Sequence, residues 1–215
     1  MNAIVDWVAR QEGFIIKDIP FDNIQMVLAY LFIIALIVFL SKPRFKNAIA
    51  LLLGIVALQG WTIWTQVKVQ NKEAFILLHK SKNTILLHQT GKILTTYAED
   101  TSNIKSSIND YKIAERIKSI AVHELNNSYN INGKSLYVLD SSGIYPKMEV
   151  QDFLLLTQSP KVNLERVIDS IQPKIVIADG SNYPSYIERW KRTCSKKEIP
   201  FHSTGEKGYY IFDLD

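Results

Sequence analysis

The chain has 215 residues, with 25 lysines and arginines against 21 aspartates and glutamates, a formal net charge of +4 at pH 7. That length allows one ordinary domain beside a membrane hairpin, and so thin a basic surplus permits a polyanionic partner without demanding one. A single cysteine, Cys194, excludes an intrachain disulfide and a thiolate metal cluster within one chain.

Residues 1–19 carry no basic leader and no small-residue cleavage site, and Asp6 and Glu12 interrupt them, so they do not read as a signal peptide. Ile4, Val8 and Ile15 fall near one helical face with Trp7 beside it, which predicts a short amphipathic segment over 1–22 lying on a membrane surface and broken at Gly13.

Two charge-free stretches follow, IQMVLAYLFIIALIVFL over 24–40 and AIALLLGIVALQGWTIW over 48–64, each 17 residues long. About 17 apolar residues is the lower limit for crossing a bilayer as a helix, so Asn23, Thr65 and Gln66 must extend them. A soluble helical hairpin is the alternative, but it would show a polar stripe, and neither stretch has one. Between them lies SKPRFKN, with Lys42, Arg44 and Lys46 as its charges and Pro43 marking the turn. The positive-inside bias holds this loop in the cytoplasm and sends both chain ends to the far side. A transmembrane hairpin over 23–66 and an extracytoplasmic domain over 67–215 are therefore expected. The first 66 residues hold 5 basic and 4 acidic side chains, leaving 20 and 17 for the rest, so the far-side domain is only mildly basic.

After the hairpin the pattern turns from helical to alternating. EAFILLHK, NTILLHQ and KILTTYA, separated by turn residues, predict a three-stranded meander. Residues 100–119 read as a polar helix with a break near Asp110. Residues 120–125 and 135–139 read as two strands with NNSYNING as the turn between them.

The last sixty residues predict an α/β unit. FLLLT is a run of the kind buried on both faces. LERVIDSI follows with Asn163 as N-cap and Leu164, Val167, Ile168 and Ile171 as one apolar stripe. KIVIA is the next strand, and Pro184 opens a helix running to about Lys197. IPFHS and GYYIF close the chain as short strands joined by TGEKG. Strand, helix, strand, helix, strand implies a largely parallel sheet.

Familiar hydrolytic chemistry finds no footing. A dinuclear hydrolase of the metallo-β-lactamase kind needs a clustered His-x-His-x-Asp-His run, because its metals draw several imidazoles from one loop. His79, His88, His123 and His202 are scattered, none within eight residues of another. G-x-S-x-G and the phosphate-cradling G-x-x-x-x-G-K-[ST] are absent. Two candidates remain. The loop Asp179, Gly180, Ser181 and Asn182 follows a strand and precedes a helix, where open α/β sheets place ligands, although Asp and Asn also bond their own backbone in plain turns. Arg189, Lys191, Arg192, Lys196 and Lys197 surround Trp190, a basic patch with an aromatic that suits a phosphodiester backbone, although solvated helix faces look alike.

The run LLLTQSPKVNLERVIDSIQPKIVIADGSNYPSYIERWKRTCSKKEIPFHSTGEKGYYIF, with its strings ADGSNY and RWK-x-TC, resembles the extreme C-terminus of ComEC-family competence proteins. QEGFIIKDIPFDNIQMVLAYL and the hairpin after it resemble the end of that family's membrane domain. The family comprises polytopic inner-membrane channels that take up single-stranded DNA during transformation. In its nuclease-bearing branch the terminal domain resembles a metallo-β-lactamase, and a Ser-His-His-Gly-Ser-like string occurs where this chain has Leu156, Thr157, Gln158, Ser159 and Pro160. The resemblance thus implies a degenerate metallo-β-lactamase-like α/β domain, catalytically inert and without cofactor or metal. It implies as partners single-stranded DNA and the remaining channel helices; membrane lipid is the partner expected of the apolar hairpin, and a homo-oligomer is a further expectation. Met1 falls where full-length members have internal sequence, which a split gene or a separate subunit would each explain. A membrane-anchored, metal-dependent phosphodiesterase or nuclease, and a membrane-anchored protein-binding domain, are the rival readings.

Overall fold

Capped, charge-free stretches and short β-branched runs build two different units in the computed structural model, which describes residues 20–99, 104–146 and 150–213. Ile4, Trp7, Val8 and Ile15 of the expected surface segment lie outside the described residues. One unit holds both apolar helices together with residues 110–116; the other holds residues 71–109 and everything from Ile117 onward.

In the first unit, α1 spans Asn23–Ser41 and α2 spans Phe45–Gln70. Both are long and apolar enough to cross a membrane. Asp22 starts α1 with a capping box: its carboxylate accepts the Gln25 amide at 2.7 Å, and Gln25 Oε1 accepts the Asp22 amide at 3.3 Å. Asn47 Nδ2 donates to the Lys42 carbonyl at 2.7 Å across the Pro43 turn. α2 exceeds the predicted stretch at both ends, because lack of charge marks the apolar length and not the helical length. A Cβ on Gly54 would stand 3.8 Å from the Phe32 backbone, ordinary van der Waals contact, so an alanine would fit there without parting α1 and α2. Gln25 is the one buried residue of α1 and α2 has none; Leu28, Phe32 and Leu36 of α1 and Leu51, Ile55 and Leu58 of α2 are half-buried, and most of the other large apolar side chains of both helices are exposed.

A short helix α3, Ile104–Ala114, runs through Asp110 without the expected break. Asp110 is exposed there and costs the helix only its modest propensity. Arg116 then takes a left-handed conformation, φ 54°, ending the helical course. Its guanidinium belongs to the first unit, where it donates to Gln25 Oε1 at 3.0 Å and pairs with Asp22 at 3.7 Å.

The second unit contains two five-stranded sheets. The first has the order β10-β1-β2-β3-β4, from β1 Glu73–Leu78, β2 Ile85–Thr90, β3 Ile93–Ala98, β4 Ser119–Glu124 and β10 Tyr210–Phe212. The expected meander is β1-β2-β3, antiparallel throughout. β4 pairs parallel to β3 instead of joining the next hairpin. The second sheet has the order β5-β6-β7-β8-β9, from β5 Ser128–Ile131, β6 Lys134–Leu139, β7 Phe153–Leu156, β8 Ile175–Ala178 and β9 Phe201–Ser203. Much of the Asn-rich stretch expected as a turn is therefore strand β5. The turn itself is only Asn132-Gly133, with φ 52° and 80°, a pair suited to a two-residue hairpin loop.

The expected parallel unit is β7 to β9, with α4 Leu164–Ile171 and α5 Pro184–Lys196 as crossovers, and β6, predicted as a strand outside that unit, extends it by pairing parallel with β7. Asn163 caps α4 by accepting the Glu165 amide at 3.0 Å, and Leu164, Val167, Ile168 and Ile171 are all buried. After β9 the chain makes a helical turn, α6 Thr204–Lys207, and β10 crosses to pair antiparallel with β1. The two closing strands thus belong to different sheets. Phe75, Leu77 and Leu86 of the first sheet pack against Leu136, Val138, Phe153, Leu155 and Ile177 of the second. The far face of the second sheet buries Leu154, Leu156 and Val176 under α4 and α5, with Trp190 and Cys194 inside that layer.

Candidate functional site

Parallel register aligns the last residues of three strands: Leu156 of β7 with Ala178 of β8, and Ala178 with Ser203 of β9. The residues just beyond, Thr157, Asp179 and Thr204, therefore gather at one sheet end, the place where parallel sheets bind ligands. The β1–β2 turn adds His79 and Thr84. Asp179 is fully buried. Its Oδ2 accepts the Thr84 hydroxyl and, at 3.3 Å, the Thr157 hydroxyl. Its Oδ1 accepts the Ser181 amide at 3.1 Å, the Ser181 hydroxyl at 2.5 Å and Asn182 Nδ2 at 3.0 Å. Burial pushes the Asp179 carboxyl above the usual carboxylate range, and the hydrogen bonds only partly offset it.

The surrounding backbone is locked into this cluster. Gln158 and Ser159 are consecutive left-handed residues, φ 58° and 54°, conformations that persist only where neighbours hold them. Ser181 Oγ accepts the Gln158 amide at 2.8 Å, Asn182 Oδ1 accepts the Ser159 amide at 2.7 Å, and Ser159 Oγ accepts the Tyr183 amide at 2.8 Å. Gly180 is required by space: a Cβ there would lie 2.6 Å from the Lys80 carbonyl oxygen. Its own carbonyl accepts the Lys82 amide at 3.2 Å. Of the predicted ligand loop, Asp179 and Asn182 point inward and are buried, while Gly180 and Ser181 are partly exposed. The cluster ties the β1–β2 turn to the ends of β7 and β8.

The basic helix is arranged differently from its expected form. Trp190 is 1% exposed and packed in the core, so its ring offers no stacking surface. Amphipathic spacing explains this: Tyr186, Ile187, Trp190 and Cys194 share the face that α5 turns to the sheet. Lys191 pairs with Glu206 at 2.9 Å, and Lys197 with Asp169 at 2.9 Å and Glu165 at 3.4 Å. The Arg189 guanidinium lies 4.6 Å over the Tyr186 ring. Arg192 and Lys196 are exposed, and with Arg189 they follow helical spacing along one stripe. Tyr183, at the start of α5, is 67% exposed.

Among the described residues no group of three or more His, Cys, Asp or Glu side chains is placed to hold a metal. His79 Nδ1 is 3.1 Å from Thr204 Oγ1, His88 Nε2 is 3.4 Å from Glu73, and His202 Nε2 is 3.1 Å from the Gly208 carbonyl.

A family model described as the ComEC C-terminal domain matches residues 75–214. The chain belongs to this family. Its members are competence proteins of DNA uptake and are membrane-associated, in keeping with the two apolar helices. No curated protein and no solved structure matches the chain.

In this ComEC domain, Thr84 and Tyr183 escape sequence reading, and Thr157, noted there only as standing where relatives carry a histidine, gains a partner in Asp179. Thr84 looks like an ordinary threonine beside a strand until the sheets bring it to Asp179. Tyr183 is the exposed aromatic that Trp190 was expected to be, and its position outside the buried stripe of α5, just before Pro184, was the available signal.

Proposed function

We propose that this chain serves as the C-terminal part of a ComEC DNA-uptake channel. α1 and α2 cross the inner membrane, and their outward apolar side chains face lipid and the remaining channel helices. The terminal domain lies on the outer side and guides single-stranded DNA without cutting it. The family match over residues 75–214 carries this reading.

The domain is read as a degenerate relative of the metallo-β-lactamases. Two mixed sheets packed face to face, with α4 and α5 outside the second, support that likeness. Where the nuclease-bearing branch has histidines, Thr157 and Gln158 stand, and the Thr157 hydroxyl is bonded to Asp179 and Ser181. The sheet end that would do chemistry is filled by its own side chains. Guidance of the strand falls to Arg189, Arg192 and Lys196 for phosphates and to Tyr183 for stacking; Lys191 and Lys197, already ion-paired, contribute less.

In a transformable host, removing residues 71–215 from the chromosomal gene is expected to abolish transformation while surface-bound DNA persists. Unchanged transformation would overturn the channel role. Replacing Arg189, Arg192 and Lys196 together by Glu should weaken single-strand binding and flatten its log–log salt dependence by about 2, at roughly 0.7 per phosphate contact. Hydrolysis of DNA by the purified chain with manganese or zinc, stopped by a chelator, would overturn the inert reading in favour of the phosphodiesterase.

A further inference from the structure

β4 ends the first sheet, and among the described residues the order β10-β1-β2-β3-β4 leaves its outer edge without a neighbouring strand. The strand is exposed except at Ala121, which is half-buried, with Ile120 38% and Val122 44% exposed. Natural sheets blunt such edges with proline, a bulge or a central charge. SIAVHE carries no proline, has no charge before its last residue, and pairs with β3 without a bulge from Ile93↔Ser119 to Ala98↔Glu124. The edge is flat and open to strand addition.

We propose that β4 pairs antiparallel with β4 of a second copy of this chain, extending the first sheet across a two-fold axis at Ala121. Backbone geometry limits the choice of register. Successive residues point their N–H and C=O alternately toward β3 and away from it, and two residues set opposite each other must both point outward or both inward. The axis therefore passes through a residue and not between two. With the axis on Ala121, Ile120 faces Val122, Ser119 faces His123, and Lys118 faces Glu124, each twice. Apolar meets apolar and opposite charges meet at both ends of the paired segment, the combination that stabilises cross-strand neighbours. The next allowed registers lose this match: an axis on Val122 sets Ile120 against Glu124, and an axis on Ile120 sets Lys118 against Val122. Lys118 and Glu124 are both exposed, and neither has an ion-pair partner among the described residues. The segment is complementary to itself, which names the second copy as its occupant.

The test uses the full chain in membranes, with Cys194 retained because its thiol is buried. Copper-catalysed oxidation of Ala121→Cys is expected to give a covalent dimer at least tenfold faster than Ile93→Cys, which sits one strand inward and is 55% exposed. Lys118→Glu alone and Glu124→Lys alone should each slow the Ala121→Cys cross-link about tenfold, since each creates two like-charge pairs. The double exchange should restore it, which a merely misfolded edge would not. Equal rates for Ala121→Cys and Ile93→Cys, or single exchanges with no effect, or a double exchange that fails to rescue, would overturn the pairing. A covalent dimer formed at the same rate by the chain whose only cysteine is Cys194 would trace the cross-link to Cys194 and also overturn it.

Discussion

The two units spend their apolar residues in opposite ways. In the hairpin, Leu52 is 60% exposed and Ile34 57%, although both sit in charge-free helices. In the sandwich, Leu155 and Leu86 are wholly buried between sheets. A hydrophobic sequence therefore says only that water will be avoided. The pattern decides how: an all-round apolar helix leaves its surface to lipid or other helices, whereas a two-sided strand run is consumed inside its own fold. Polar groups mirror the contrast. The hairpin gathers Asp22, Gln25, Trp61 and Arg116 at one end, while the sandwich buries Asp179 among hydroxyls at its strand ends.

The largest expected effect tests the apolar half of this contrast. Leu155→Ala should destabilise the sandwich by about 3 kcal/mol, the transfer loss plus the cavity left behind. Leu52→Ala should change unfolding in mild detergent by less than about 0.5 kcal/mol, as exposed substitutions do. Chemical unfolding of both variants in one detergent measures the difference; equal losses would mean that the hairpin also buries its apolar face within the chain.

A smaller effect tests the hairpin's polar end. Arg116 has a side chain 14% exposed and holds Gln25 and Asp22 together. Arg116→Ala should cost about 1–2 kcal/mol, less than a fully buried pair because Asp22 is part-solvated. A double-mutant cycle with Gln25→Ala should show coupling, and strict additivity would sever the contact from stability.

Much of this division is legible in the residues. The uncharged stretches, the Pro43 turn, the meander, the stripe of α4 and the N-terminal Pro184 of α5 all depend on near neighbours, and periodicity reports near neighbours. What escapes is non-local. Nothing in SIAVHE says that it pairs with β3 and not with the strand after it, and nothing in GYYIF says that it returns to β1. The short run SYNI hides among turn residues, although Asn132-Gly133 beside it is a hairpin signal. The buried cluster fails for the same reason: Thr84, Thr157 and Asp179 lie far apart in the chain and meet only when the sheets do. Trp190 shows the limit of composition, since basic neighbours drew attention to a residue whose helical phase puts it in the core.

The smallest expected effect bears on that cluster and is read from its pH dependence. The folded-state pKa of Asp179 is raised by burial, so the folded protein holds its proton to higher pH than the unfolded chain. Its contribution is fully present below the ordinary carboxylate range and is lost as pH rises through the raised value. Asp179→Asn keeps one acceptor oxygen for Ser181 and turns the other position into a donor that Thr84 and Thr157 hydroxyls can accept. The substitution should cost roughly 1 kcal/mol at acid pH, and the advantage of the native residue should shrink or reverse by neutral pH. Asp152 titrates with the opposite slope, its carboxyl held low by the Lys174 ammonium 2.7 Å away, but it is common to both proteins and cancels in the difference. Unfolding of the pair compared between acid and neutral pH decides the matter: a difference that does not change with pH would mean that Asp179 keeps the same charge folded and unfolded, and that the hydroxyl cage solvates its carboxylate as well as water does.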